Sequence, residues 1–89
     1  MYIIKKYSYD QAKKLGVEIK PSKTKNKKID VFKGDVFICS IGDSRYLDFP
    51  SYLDIDKELA EKRRMLYHQR HKKENIEGTK GYYALKILW

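Results

Sequence analysis

Arg64, Tyr67, Arg70 and His71 stand at i, i+3, i+6 and i+7, a spacing that sets all four along one side of a helix. Guanidinium forks match phosphate oxygens, and a tyrosine ring between them can stack on a base or pack against a sugar, so the stripe suits a polyanion. The same residues could instead lock the helix to the loop before it. Asp43 and Asp48 supply carboxylates there, and arginine grips a carboxylate with two parallel hydrogen bonds. The spacing is compatible with both roles. Lys62 and the pair Lys72 and Lys73 read more simply as a solvated basic face, whose phosphate contacts would be blind to sequence. Arg45 and Tyr46, a cation beside an aromatic ring in the loop, complete the candidate partner-binding surface.

Catalytic patterns are weaker. His68 and His71 are three residues apart with Glu74 beyond, whereas zinc on a helix is better met by histidines four apart, and the chain has one cysteine to offer as a thiolate. Gly42, Asp43 and Ser44 lack the strand-to-helix elbow that activates a serine nucleophile. The best enzymatic arrangement is a small nuclease centre of Asp43, Asp48 and His71 around a divalent ion, because it would work together with a basic surface. The reading adopted is non-enzymatic, with no catalytic residue, no metal site and no cofactor.

These side chains need elements to hold them. Tyr2 to Lys6 reads as a short strand, and Ser8 as the N-cap of a helix over Tyr9 to Leu15 with Gly16 as its C′ residue. A second strand, Val17 to Lys20, is stopped by Pro21. Ser22 to Lys28 contains no apolar side chain and reads as a mobile basic loop. The runs IDVFK and DVFICSIG, joined at Lys33, Gly34 and Asp35, predict a hairpin centred on residues 29–41. After the loop Gly42 to Pro50, a single long helix is expected over about residues 54–73, with Asp54 or Asp56 at its start, acids in its first turns and bases in its last. Ile55, Leu59 and Leu66 should face the sheet, and Glu58 should pair with Lys62. Glycines at 78 and 81 precede a short C-terminal helix in YYALKILW, where Tyr82, Leu85 and Trp89 share a face. Trp89 either closes the core or plugs into a neighbour, and core closure is preferred because a chain this short needs each of its large apolar side chains. The expected fold is α+β, a small antiparallel sheet packed by the long helix and the short C-terminal one, in a single domain spanning residues 1–89.

Composition bounds the function. The 89 residues are 42% hydrophobic and 36% charged, with a net charge of +8. That is too apolar for a disordered chain, and no apolar run is long enough for a membrane span. The N-terminal apolar stretch is too short for a secretory leader. The lone Cys39 lies in an apolar run and reads as a small buried hydrophobe in a reducing compartment. Charge falls in blocks of +7 for residues 1–33, −5 for 34–61 and +6 for 62–89. Two basic ends around an acidic middle can neutralise one another inside the fold or present two cationic patches to one polyanion.

The loop GDSRYLDFPSY, the spacing RxxYxxRH over Arg64, Tyr67, Arg70 and His71, and the segment GTKGYYALKILW together resemble a family of small uncharacterised basic proteins of large eukaryotic DNA viruses and some tailed phages. The likeness spans roughly residues 28–89. It implies a viral origin and a role in the virion or with the viral genome, and brings no reaction with it. The function expected is that of a viral structural or accessory protein, part of a larger assembly in the virion or the infected-cell interior, not secreted and without a membrane partner. It would bind another virion component, either a capsid protein or packaged DNA or RNA. The alternative is a nucleic-acid-binding regulator or a small metal-dependent nuclease acting in the infected cell.

Overall fold

A two-residue turn sets the sheet. In the computed structural model, which describes residues 2–89, β2 (Lys27–Lys33) and β3 (Val36–Asp43) pair antiparallel from Lys33 opposite Val36 to Lys27 opposite Asp43. Gly34, at φ 62°, supplies the left-handed first turn residue that a tight hairpin requires. β1 (Glu18–Pro21) adds on the other side of β2, giving the antiparallel order β1-β2-β3. The hairpin lies where the sequence puts it. Pro21 belongs to β1 opposite Ile29, a place open to proline because β1 is an edge strand.

The N-terminus departs from expectation. No strand forms over residues 2–5, and α1 (Lys6–Leu15) begins three residues before the expected helix. Ser8 is therefore inside the helix and fully buried, and its hydroxyl donates to the Ile87 carbonyl at 2.9 Å. A contact across 79 residues has taken a side chain that local chemistry would place at a cap. Gly16, at φ 75°, ends α1 as read from sequence. The basic loop is also shorter than expected: Lys27 and Lys28 are in β2, and Lys28 is buried.

The long helix is present, starting at Lys57, and a short helix precedes it at Phe49–Leu53. α2 (Phe49–Leu53) starts at Asp48, whose carboxylate accepts from Ser51 N, and carries Pro50 in its first turn. Asp56 then caps α3 (Lys57–His71) by accepting from Glu58 N and Leu59 N. A 3-10 turn over Lys72–Glu74 follows. After it comes α4 (Lys80–Ile87), capped by the Thr79 hydroxyl, which accepts from Tyr82 N.

The sheet is covered by α1 and α4. Ile19, Ile29, Val31 and Ile41 from the strands meet Ala12 of α1 and Tyr83, Ile87 and Leu88 at the C-terminus in one buried cluster. α3 packs mainly along α2, with a lesser contact to α4. Consequently Ile55 and Leu66 are exposed rather than turned to the sheet. Glu58 and Lys62 do not pair, both lying exposed. On α4 the buried side chains are Tyr83, Leu85 and Ile87, so the expected face through Tyr82 and Trp89 is only partly covered. The α+β architecture with a long helix and a short C-terminal helix stands.

A basic and aromatic cleft as candidate functional site

A cleft of about 450 Å³ opens where the loop after β3 faces α3 and the C-terminus. Its depth depends on Gly42, where φ is 78°. A Cβ at that position would stand 2.6 Å from Leu88 Cδ1 and 3.0 Å from Lys28 Cδ. Below it lies the best-built polar group of the fold. Lys28 Nζ reaches Asp48 Oδ2 at 2.7 Å, and Tyr2 Oη donates to the same oxygen at 2.7 Å. Burial alone would raise the Asp48 pKa, but the hydrogen bonds from Lys28 and Tyr2 outweigh it and hold the carboxyl below its ordinary value. Burial, and the hydrogen bond to Asp48, push the Tyr2 phenol far up.

α3 forms one wall. Tyr67 lies at the centre of an aromatic column, stacked on His71 with ring centroids 4.2 Å apart and on Trp89 at 4.3 Å with the planes 7° from parallel. Trp89 in turn meets Tyr52 of α2 at 6.3 Å. His68 Nε2 donates to the Trp89 backbone oxygen at 3.0 Å, and His71 Nδ1 donates to Glu74. Trp89 is half-buried, packing against the edge of the core while it ties α3 to the C-terminus. Arg63, whose guanidinium lies 5.8 Å from the Tyr52 ring, and Arg70 line the same cleft. Neither makes an ion pair among the described residues.

The loop forms the opposite wall. Arg45 holds Asp43 with two parallel bonds of 2.9 and 2.8 Å, and that contact keeps the Asp43 carboxyl well below the usual carboxylate range. Tyr46 lines the cleft yet is 70% exposed. Lys27, opposite Asp43 on the hairpin, has its pKa lowered by the Lys80 ammonium beside it. Lys27 lines a separate recess with Tyr2, Ser22 and Asn26 rather than the cleft.

Of the nine residues singled out from the sequence, Tyr46, Tyr67, Arg70 and His71 line the cleft, and Arg45 borders it through Asp43. Lys62, Lys72 and Lys73 are exposed elsewhere. Arg64 turns away from the cleft, its guanidinium 4.7 Å from the Phe49 ring centroid. The alternative lock of Arg64 or Arg70 onto Asp43 or Asp48 does not form, because Arg45 and Lys28 already occupy those carboxylates. Sequence reasoning missed Arg63, Tyr52 and Lys28. Arg63 was within reach: at about 100° per residue, Arg63, Tyr67 and Arg70 at i, i+4 and i+7 span about 60°, half the arc of Arg64, Tyr67 and Arg70.

Asp43, Asp48 and His71 do not converge. Among the described residues no three His, Cys, Asp or Glu side chains are placed to hold a metal ion. Cys39 is only half-buried, and burial raises its pKa, away from a reactive thiolate. No helix among the described residues is long and apolar enough to cross a membrane. Fold and cleft define a small α+β protein with a basic, aromatic-lined recess. No protein-family model, curated protein or solved structure matches the chain.

Proposed function

We propose that this chain is a non-enzymatic, nucleic-acid-binding protein of viral origin, a structural or accessory component that holds packaged DNA or RNA in the virion or viral nucleic acid inside the infected cell. The observation that carries the reading is the cleft itself, in which two arginines without carboxylate partners stand beside Tyr46, Tyr67 and Trp89. Guanidiniums left unpaired next to aromatic rings are the arrangement that phosphates and bases together satisfy. The viral origin rests on the resemblance over residues 28–89.

The test is binding of a labelled oligonucleotide over a range of salt. Each phosphate contact contributes about 0.7 to 0.9 to the slope of log affinity against log salt, and with Arg63 and Arg70 both engaged a slope of about −1.4 to −1.8 or steeper is expected. Absence of binding at low salt would remove the reading.

A second reading, docking on a capsid protein, is favoured by one feature. Phe32 and Phe37 pair edge to face at 5.7 Å on the hairpin, with Phe37 and Val36 exposed. Co-sedimentation with capsids that survives nuclease treatment and is lost in Phe37→Ser would support docking over nucleic-acid binding.

A further inference from the structure

Resting on the nucleic-acid reading above, we infer that the cleft seats one unstacked base of a single strand, so that the protein binds single-stranded nucleic acid in preference to duplex. Shape comes first. The α3 side that bears Arg63, Tyr67 and Arg70 is recessed opposite the loop that carries Tyr46, whereas a major groove admits a helix that projects. In a duplex the faces of the bases are stacked inside, so aromatic side chains lining a concavity meet them only when a base is splayed out. The volume, about 450 Å³, is at the small end of the range for organic ligand sites and suits one nucleotide rather than a helical turn.

The distribution of rings points the same way. Tyr52, Tyr67, His71 and Trp89 are all engaged with one another. Tyr46 is the exception: its ring pairs with no other aromatic among the described residues, and it stands mostly exposed at the cleft. The Tyr46 ring, left mostly in water at the cleft that the aromatic column also lines, is an unpartnered π surface on which a base entering the recess can stack. Arg63 and Arg70 flank the column at i−4 and i+3 from Tyr67, where they can take the phosphates on either side of an inserted base. Because the base is held by its π face, little discrimination among bases is expected.

The experiment compares three ligands of equal length: an oligothymidylate strand, an abasic strand with the same phosphates, and the oligothymidylate annealed to its complement. Affinity is read by anisotropy, and insertion by the emission of Trp89, the only tryptophan in the chain. The expected result is that oligothymidylate binds about tenfold or more tighter than the abasic strand, the worth of one stacked base, and tighter than the duplex. It alone should quench Trp89. Tyr46→Ala, at an exposed position, should melt like the parent, bind oligothymidylate at the abasic level and keep the salt slope. Equal affinity for thymidylate and abasic strands, or a duplex bound as tightly as the single strand, overturns base insertion and leaves the nucleic-acid reading standing. Failure to bind any of the strands at low salt overturns both.

Discussion

Asp48 is the residue on which most of the surrounding structure converges. It caps α2 through Ser51 N, accepts from Tyr2 and pairs with Lys28, all while fully buried. Removing one member of such a pair leaves the other charge buried and unpaired, so Asp48→Ala should cost about 3 to 5 kcal/mol in urea unfolding. The sign of the pH dependence follows from the two shifts. The folded Asp48 pKa is lowered, so its contribution is complete above the unfolded value near 3.9 and is lost as pH falls through the folded one. The folded Tyr2 pKa is raised, so its contribution holds below about 10 and is lost as the unfolded phenol ionises above that. A melting temperature that is flat between these limits and falls outside them is expected, and Asp48→Asn should blunt the acid limb. Asp48 could not have been assigned from sequence: its partner cation is 20 residues away in a strand, and an arginine on the next helix looked nearer. The two arginines of the original stripe separate in the same way. Arg64→Ala should lower stability by about 1 kcal/mol, the worth of a partly exposed cation over a ring, with no change in salt slope. Arg70→Ala should leave the melt unchanged and reduce the slope by about 0.7 to 0.9.

Elements with strong local signals appear where the sequence places them, and elements decided by distant contacts do not. The hairpin carries β-branched and aromatic runs about a Gly-Asp turn and needs nothing further to specify it. The start of α1 is different, because Ser8 contributes more by reaching the Ile87 carbonyl from inside the helix than by capping it. The split between α2 and α3 was half legible. The sequence offers Asp54 or Asp56 as the long helix's start, of which Asp56 is the cap, yet Asp48 with Pro50 is an equally good start, and two starts so close are compatible only if the chain breaks between them. Gly42 gives this scale its test. Its left-handed backbone and the approach of Leu88 mean that Gly42→Ala must either strain the end of β3 or push Leu88 outward. An overpacking cost of about 1 to 3 kcal/mol is expected, together with weaker oligonucleotide binding as the cleft closes. A variant as stable as the parent would show that Leu88 can move aside freely.

Across the whole molecule, charge and packing divide the labour between the two basic ends. Lys5 pairs with Asp54 and Lys28 with Asp48, so the acidic middle of the chain is directed towards the N-terminal block. The C-terminal block makes no such pairing among the described residues; its one contact with a carboxylate is His71 with Glu74, inside the block itself. Lys62, Arg63, Arg64 and Arg70 of α3 are among the cations without an ion pair in the described residues, on a helix with Ala60 as its one buried side chain. α3 is held to the rest of the fold by α2 and, at its far end, by the column of His71, Tyr67 and Trp89. The sequence showed that Trp89 would be engaged but not how, because the column joins residues from two helices and a chain end that no local pattern relates. The position of the binding arginines thus depends on one half-buried indole. Trp89→Ala should cost about 2 kcal/mol, less than a fully buried tryptophan because part of the ring already meets water. It should also weaken oligonucleotide binding by more than the lost stability accounts for, since α3 loses its anchor, whereas Trp89→Phe should restore most of both. The urea midpoint and the anisotropy titration measure the two effects separately. If Trp89→Ala unfolds at the parental midpoint and binds with parental affinity, the column does not hold α3, and the cleft must owe its shape to α2 alone.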